Sequence, residues 1–272
     1  MTMTLRITVA AALLAVASAN SPLAAQNGAK QTDDTFDWSG TIPSGSWLRV
    51  QNLNGSVSVE AATGDVAEVH AKKDWRGSAD PRRVRIVTIN DGSNVTICAL
   101  WHDDDTCDAG GYHSHHDGND RATDRVSVAF TVKLPRGVKI KAATVNGEVS
   151  VHGAQALVQA HTVNGSVDAS SSTGPLEAST VNGDLRVSMD ALTGDGDLNY
   201  ETVNGSITVH LPSHLDANVD MQTVNGSLTS DFPLTLTGRI NPRRHLSATI
   251  GNGGRHINLK TVNGNVELRK SS

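Results

Sequence analysis

Apolar and polar residues alternate with a period of two along most of this chain. Leu198-x-Tyr200-x-Thr202-Val203 leads into Ile207-x-Val209-x-Leu211. The frame recurs as Leu215-x-Ala217-x-Val219-x-Met221-x-Thr223-Val224, then Leu228, and as Leu176-x-Ala178-x-Thr180-Val181, then Leu185-x-Val187. Such alternation marks strands with one buried face. No run after residue 25 sustains a 3.6-residue period, so almost no helix is expected. In the first half, Ser46–Glu60 reads as a first coil through Leu48, Val50, Leu53, Val57 and Val59. Asp65–Trp75, Arg82–Ile89, Asn94–Trp101 and Arg125–Leu134 read as further strands, with turn signals at Asp80-Pro81 and Asp91-Gly92.

A repeat organises the pattern. Thr-Val-Asn-Gly occurs at 144–147, 162–165, 180–183, 202–205, 223–226 and 261–264. Successive starts lie 18, 18, 22, 21 and 38 residues apart, and the last gap is close to two periods. Within it, Thr249-Ile250-Gly251-Asn252-Gly253 reads as a degraded copy, and Asn52-Leu53-Asn54-Gly55 is a further match upstream. Asn-Gly between alternating runs signals a hairpin. A meander, however, would need that turn about every 8–12 residues. A spacing near 20 fits one coil of a β-solenoid, with coils stacked at about 4.8 Å.

The chain is therefore predicted to be all-β: a β-solenoid, β-helix-like, of 18–22-residue coils behind a strand-rich N-terminal cap. In that geometry Asn-Gly is a corner, and Gly supplies the positive φ of the bend. Asn54, Asn146, Asn164, Asn182, Asn204, Asn225 and Asn263 would stack in register and bond along the axis. Asn182 would have neighbours on both sides, with Asn263 near the end of the row. No low-complexity linker interrupts residues 26–272, which read as one domain. The cap and first coil occupy about 33–142, and the repeat coils about 143–270.

Composition sharpens this picture. Aromatics make up only 3% of the 272 residues, while Gly numbers 25. All four tryptophans precede residue 102, and only Tyr200 and Phe232 follow residue 142. Narrow coils leave little room for rings, so the N-terminal part is the wider, more antiparallel end. Residues 1–25 carry one charge, Arg6, before the apolar run Ile7–Val16. Ten residues cannot span a bilayer, which needs about 20, but they suit a secretory leader cleaved after Ala19 or Ala25. The mature chain should then be exported, to the periplasm or cell surface, with no transmembrane segment. A net charge of −5 argues against a nucleic-acid partner.

Cys98 and Cys107 are the only cysteines, and in an exported chain such a pair suggests a disulfide. The rival reading is a pair of metal thiolates, which export opposes. The segment 102–124 holds His102, His113, His115 and His116 among Asp103, Asp104, Asp105, Asp108, Asp117, Asp120 and Asp124. Imidazole and carboxylate together can ligate zinc, nickel or copper. Glycines 110, 111 and 118 instead make it a solvated loop, replaceable over 103–120 without loss of fold. Gly194-Asp195-Gly196-Asp197 resembles one unit of a calcium-binding repeat, but a lone copy reads as a turn. No Gly-x-Ser-x-Gly, Walker or dinucleotide motif is present. No catalytic residue, metal ligand or cofactor is assigned.

The recurrent Thr-Val-Asn-Gly-x-φ-x-φ units and the closing segment Gly253–Val266 resemble the bacterial putative-adhesin family of exported β-strand-repeat proteins, over about residues 33–270. The resemblance implies a β-helix-like fold in the cell envelope and carries over no active site. It implies a structural or binding protein, not an enzyme, whose partner is an unknown envelope protein or glycan. The alternative is a carbohydrate- or metal-binding solenoid acting through the 102–124 loop.

Overall fold

The computed structural model describes residues 28–113, 125–193, 196–237 and 244–271. The predicted leader lies outside them, as do His115, His116, Asp117, Asp120 and Asp124 of the His/Asp segment and Gly194-Asp195.

The N-terminal half contributes β1 (Gly28–Gln31), β2 (Thr35–Thr41), β3 (Trp47–Gln51), β4 (Val57–Ala61), β5 (Val66–Trp75), β6 (Arg85–Asp91), β7 (Asn94–Leu100), β8 (Thr106–Cys107), β9 (Tyr112–His113) and β10 (Val126–Leu134). One short 3-10 turn, Pro81–Arg83, is capped by the Asp80 side chain, which accepts from the Arg82 N–H. The repeats supply β11 (Lys139–Ala143), β12 (Val149–Ala154), β13 (Val158–His161), β14 (Val167–Ser171), β15 (Leu176–Ser179), β16 (Leu185–Met189), β17 (Leu198–Glu201) and β18 (Ile207–Leu211). The C-terminal part adds β19 (Ala217–Gln222), β20 (Leu228–Ser230), β21 (Thr235–Leu236), β22 (His245–Ile250), β23 (Arg255–Lys260) and β24 (Val266–Lys270).

The fold is all-β and solenoid-like. Two 11-stranded sheets enclose one apolar core, and each coil lends one strand to each sheet. Parallel register stacks like on like. Val57, Val149, Val167, Leu185, Ile207 and Val266 form one column through the first sheet. Every member is fully buried, and each contributes roughly 1.5–3 kcal/mol relative to exposure. The opposite sheet stacks Leu48, Ile140, Val158 and Leu176 in the same way. One ring does enter a repeat coil: Tyr200 is fully buried on β17, its hydroxyl 4.0 Å from the Met189 sulfur.

Antiparallel strands close both sheets at the N-terminal end and one sheet at the C-terminal end, where the other sheet finishes on β20, parallel to β24. At the N-terminal end β10 runs parallel to β4, and β5, β2 and β1 follow it antiparallel. In the other sheet β6 closes antiparallel on β7. Such pairing covers edges that would otherwise template further strands. Trp38 and Trp101 are buried in this end, whereas Trp75 is exposed.

The C-terminal end differs from the expected coil order. Thr249–Gly253 is not a degraded coil. Thr249 and Ile250 finish β22, which runs antiparallel along β19, and Gly251–Gly253 turn the chain into β23. β23 then lies between β17 and β19, while β24 lies between β18 and β20. The last coil in sequence is thus the penultimate coil in space. The long 38-residue gap gives the chain room to close the edge with β22 before it returns. Asn263 accordingly sits between Asn204 and Asn225, and Asn225 ends the row.

Candidate functional site

The Thr-Val-Asn-Gly corner can be explained residue by residue. Thr is buried, and its hydroxyl donates to a carbonyl of the adjoining coil. Thr144, Thr162, Thr180, Thr202, Thr261 and Thr223 reach the carbonyls of Gly55, Gly147, Gly165, Gly183, Gly205 and Gly264 at 2.8–3.0 Å. In the first coil Asn52 takes the place of Thr, and its amide donates to the Val128 carbonyl at 2.8 Å.

Gly is required by space more than by torsion. A Cβ on Gly165, Gly183, Gly205 or Gly264 would overlap the carbonyl oxygen of the glycine one coil away. At Gly147, Gly183 and Gly264 a positive φ of 154–159° adds to that close approach, whereas Gly165 and Gly205 have no positive φ and the approach alone applies. At Gly55, φ is +115° and both reasons apply.

Asn forms a continuous ladder. Each Nδ2 donates to the Oδ1 of the next rung at 2.7–2.8 Å, in the order Asn225, Asn263, Asn204, Asn182, Asn164, Asn146, Asn54. All but Asn54 are exposed to solvent. Each bond in such a position is worth toward the lower end of about 0.5–1.5 kcal/mol. The ladder uses one of two N–H groups and one of two lone pairs per amide, leaving the others for a partner.

Val has no such duty. Val163, Val181, Val203 and Val224 are 37–43% exposed, although the core lies one residue away. With half-buried Leu53, Val145 and Val262 they form one outward ridge, linked rung to rung by backbone bonds. The sequence motif showed these valines but not which way they point. Period-two counting from the buried Thr would have placed Val outside.

The His/Asp segment is brought together only in part. Asp105 is buried and accepts from the N–H groups of Trp101 at 3.1 Å and His102 at 2.8 Å, and from the Tyr112 hydroxyl. Burial pushes its pKa up, but those donors together hold it below the usual carboxylate value. Asp105 is therefore an interior strut that pins the end of β7, which corrects the reading of 103–120 as dispensable solvated loop. Asp108 instead closes a local turn, accepting from the Gly110 N–H at 2.6 Å. His113 meets it at 3.2 Å and, as the largest influence, holds the Asp108 carboxyl below its ordinary value. Asp103 and Asp104 are exposed. No group of three or more metal-ligating side chains occurs among the described residues. Cys98 and Cys107 form a disulfide, with Cα atoms 6.4 Å apart.

One polar cluster went unread in the sequence because its members lie on different strands. Asp220 on β19 meets Ser247 at 2.6 Å and His245 at 2.9 Å, both through Oδ2, beside an open groove lined by Asn218, Thr249, His256 and Asn258. A hydrolytic relay places imidazole between serine and carboxylate. Here the serine hydroxyl donates directly to the carboxylate, so the grouping is a polar brace. Asp197, from the calcium-like tetrapeptide, accepts from the His256 N–H at 3.1 Å and ties a turn to β23.

Solved structures of similar shape include a putative cell adhesion protein from Clostridium sporogenes, 8% identical, TM-score 0.46, covering 86% of this chain and 99% of that one. A putative adhesin from Bacteroides fragilis is 9% identical with TM-score 0.34, covering 88% and 98%. One from Parabacteroides merdae is 10% identical with TM-score 0.26, covering 88% and 97%. No curated protein matches the sequence. Residues 41–269 match the Toastrack DUF4097 family, and the chain belongs to that family.

Proposed function

We propose that this protein is an exported, adhesin-like binding scaffold of the cell envelope, without catalytic activity, and that its ridge of valines and asparagines holds an extended glycan. The exposed valines carry the reading. In a tetrapeptide copied six times, Thr, Asn and Gly each serve the fold, and Val, which faces outward beside Asn, alone has no such duty. The export reading rests on residues 1–25 and on the disulfide.

The chemistry of the ridge suits a sugar chain. Each coil offers one isopropyl group and one amide with a spare donor and acceptor. A pyranose presents an apolar C–H face beside a rim of hydroxyls. The ridge bears no aromatic anchor of the kind that dominates protein interfaces. Its valines are also too few and too narrow for a standard interface of about 1,600 Å².

Replacing Val163, Val181 and Val203 together by Thr keeps the β-branched shape and removes three apolar contacts. Purified protein should then bind isolated envelope polysaccharide at least tenfold more weakly, with its melting temperature unchanged. Equal binding by the variant and the parent would overturn the assignment.

A further inference from the structure

The Asn ladder is polar along its length. Every amide donates in the same direction, so the row ends in an acceptor at Asn225 and a donor at Asn54. Asn54 Nδ2 has no hydrogen-bond partner among the described residues. The donor end does not face open solvent on all sides. It lines a cleft of about 670 Å³ where the solenoid meets the antiparallel β5–β10 pair, together with Arg76, Arg125, Ser127 and Asn146.

The lining is rich in donors, two of them cationic, and holds no carboxylate. One lone pair on Oδ1 of Asn54 is taken by Asn146, and one on Oδ1 of Asn146 by Asn164. The Val126 carbonyl is taken by the Trp101 indole, and the Arg125 carbonyl accepts from the Arg76 N–H. The Arg125 guanidinium lies against Gly77, so close that a Cβ there would meet Nη1 at 3.3 Å, and Arg76 is the next residue along. Neither Arg76 nor Arg125 pairs with a carboxylate among the described residues. Other arginines of this acidic chain do pair: Arg82 with Asp80, Arg186 with Asp184, and Arg269 with Asp231 and Glu267. Two guanidiniums beside an unspent amide donor are arranged to meet oxygen acceptors bearing negative charge.

We infer that this cleft is an oxyanion site that takes a phosphate group, held by Arg76 and Arg125 and by the Asn54 amide at the end of the ladder. The site lies at the Asn54 end of the ladder, but its two arginines lie outside the ridge, so phosphate binding does not require the valines. It gives the protein a charged anchor point at one end of the solenoid.

The test uses the mature protein with inorganic phosphate, followed by calorimetry or by NMR of the arginine side chains. Saturable one-to-one binding is expected. Arg76→Gln with Arg125→Gln should abolish it, and Asn54→Ala should weaken it at least threefold. Asn225→Ala, at the acceptor end, should leave it unchanged, as should the Val163/Val181/Val203 triple variant. A thermal melt of each variant separates loss of the site from loss of the fold. A second arm uses vesicles containing phosphatidylglycerol. Vesicle binding that requires both arginines supports the site with a lipid headgroup as source, whereas phosphate binding alone supports it with a free or glycan-borne phosphate. No saturable binding to either probe, or binding that survives the double substitution, would overturn the proposal.

Discussion

Gly183→Ala should destabilise the protein by about 3 kcal/mol, at the upper end of what overpacking usually costs. The added methyl would overlap the Gly165 carbonyl oxygen, which is backbone and cannot swing away. That carbonyl also accepts the Thr180 hydroxyl at 2.8 Å, so moving it breaks the buried contact of the same corner. The coils would have to separate locally, and the parallel pairs on either side would share the strain. Gly64→Ala is the matched control, since nothing lies within 4 Å of its Cβ position. Its effect should stay within about 0.5 kcal/mol. Urea unfolding of the two variants, compared at constant m-value, checks the pair.

Asp105→Ala should cost about 2–4 kcal/mol. The substitution leaves the N–H groups of Trp101 and His102 without their acceptor at the end of β7, and it frees the Tyr112 hydroxyl. Bonds to a charged group are worth about 1.5–3 kcal/mol each, and not all are lost independently. The pH dependence has a definite sign. An unfolded Asp titrates at about 3.9, and Asp105 in the fold titrates lower. Its contribution is complete above the unfolded value and is lost as pH falls through the folded one. The stability gap between parent and variant should therefore be constant near neutrality and narrow below about pH 4. A gap that is small at neutral pH, or that widens on acidification, would show that Asp105 is not the strut described.

The architecture was largely legible because the repeat and the period-two alternation agree. Val57, Val149, Val167, Leu185, Ile207 and Val266 could be aligned by motif offset alone, and they stack in that register. The order of the last coils was not legible. β22 pairs antiparallel with β19 through its backbone, and hydrophobic pattern does not encode strand direction. The same limit hid the Asp220–His245–Ser247 brace, whose members meet only because β22 turns back. Asp105 was misread for a different reason. A run of acids looks solvated, and which one turns inward depends on donors that only the folded end of β7 presents together. The valine ridge lay within reach, since the faces alternate strictly around each Thr.

The ridge is the central claim, and the side-chain amides report on it directly. The measurement is a titration of 15N-labelled protein with soluble fragments of envelope polysaccharide, followed through the asparagine NH₂ resonances. Asn164, Asn182 and Asn204, which share the ridge with Val163, Val181 and Val203, should shift in a saturable manner. Asn218 and Asn258, on β19 and β23 beside the Asp220 groove, should stay in place. Shifts confined to Asn218 and Asn258, with the ladder amides unmoved, would contradict the account.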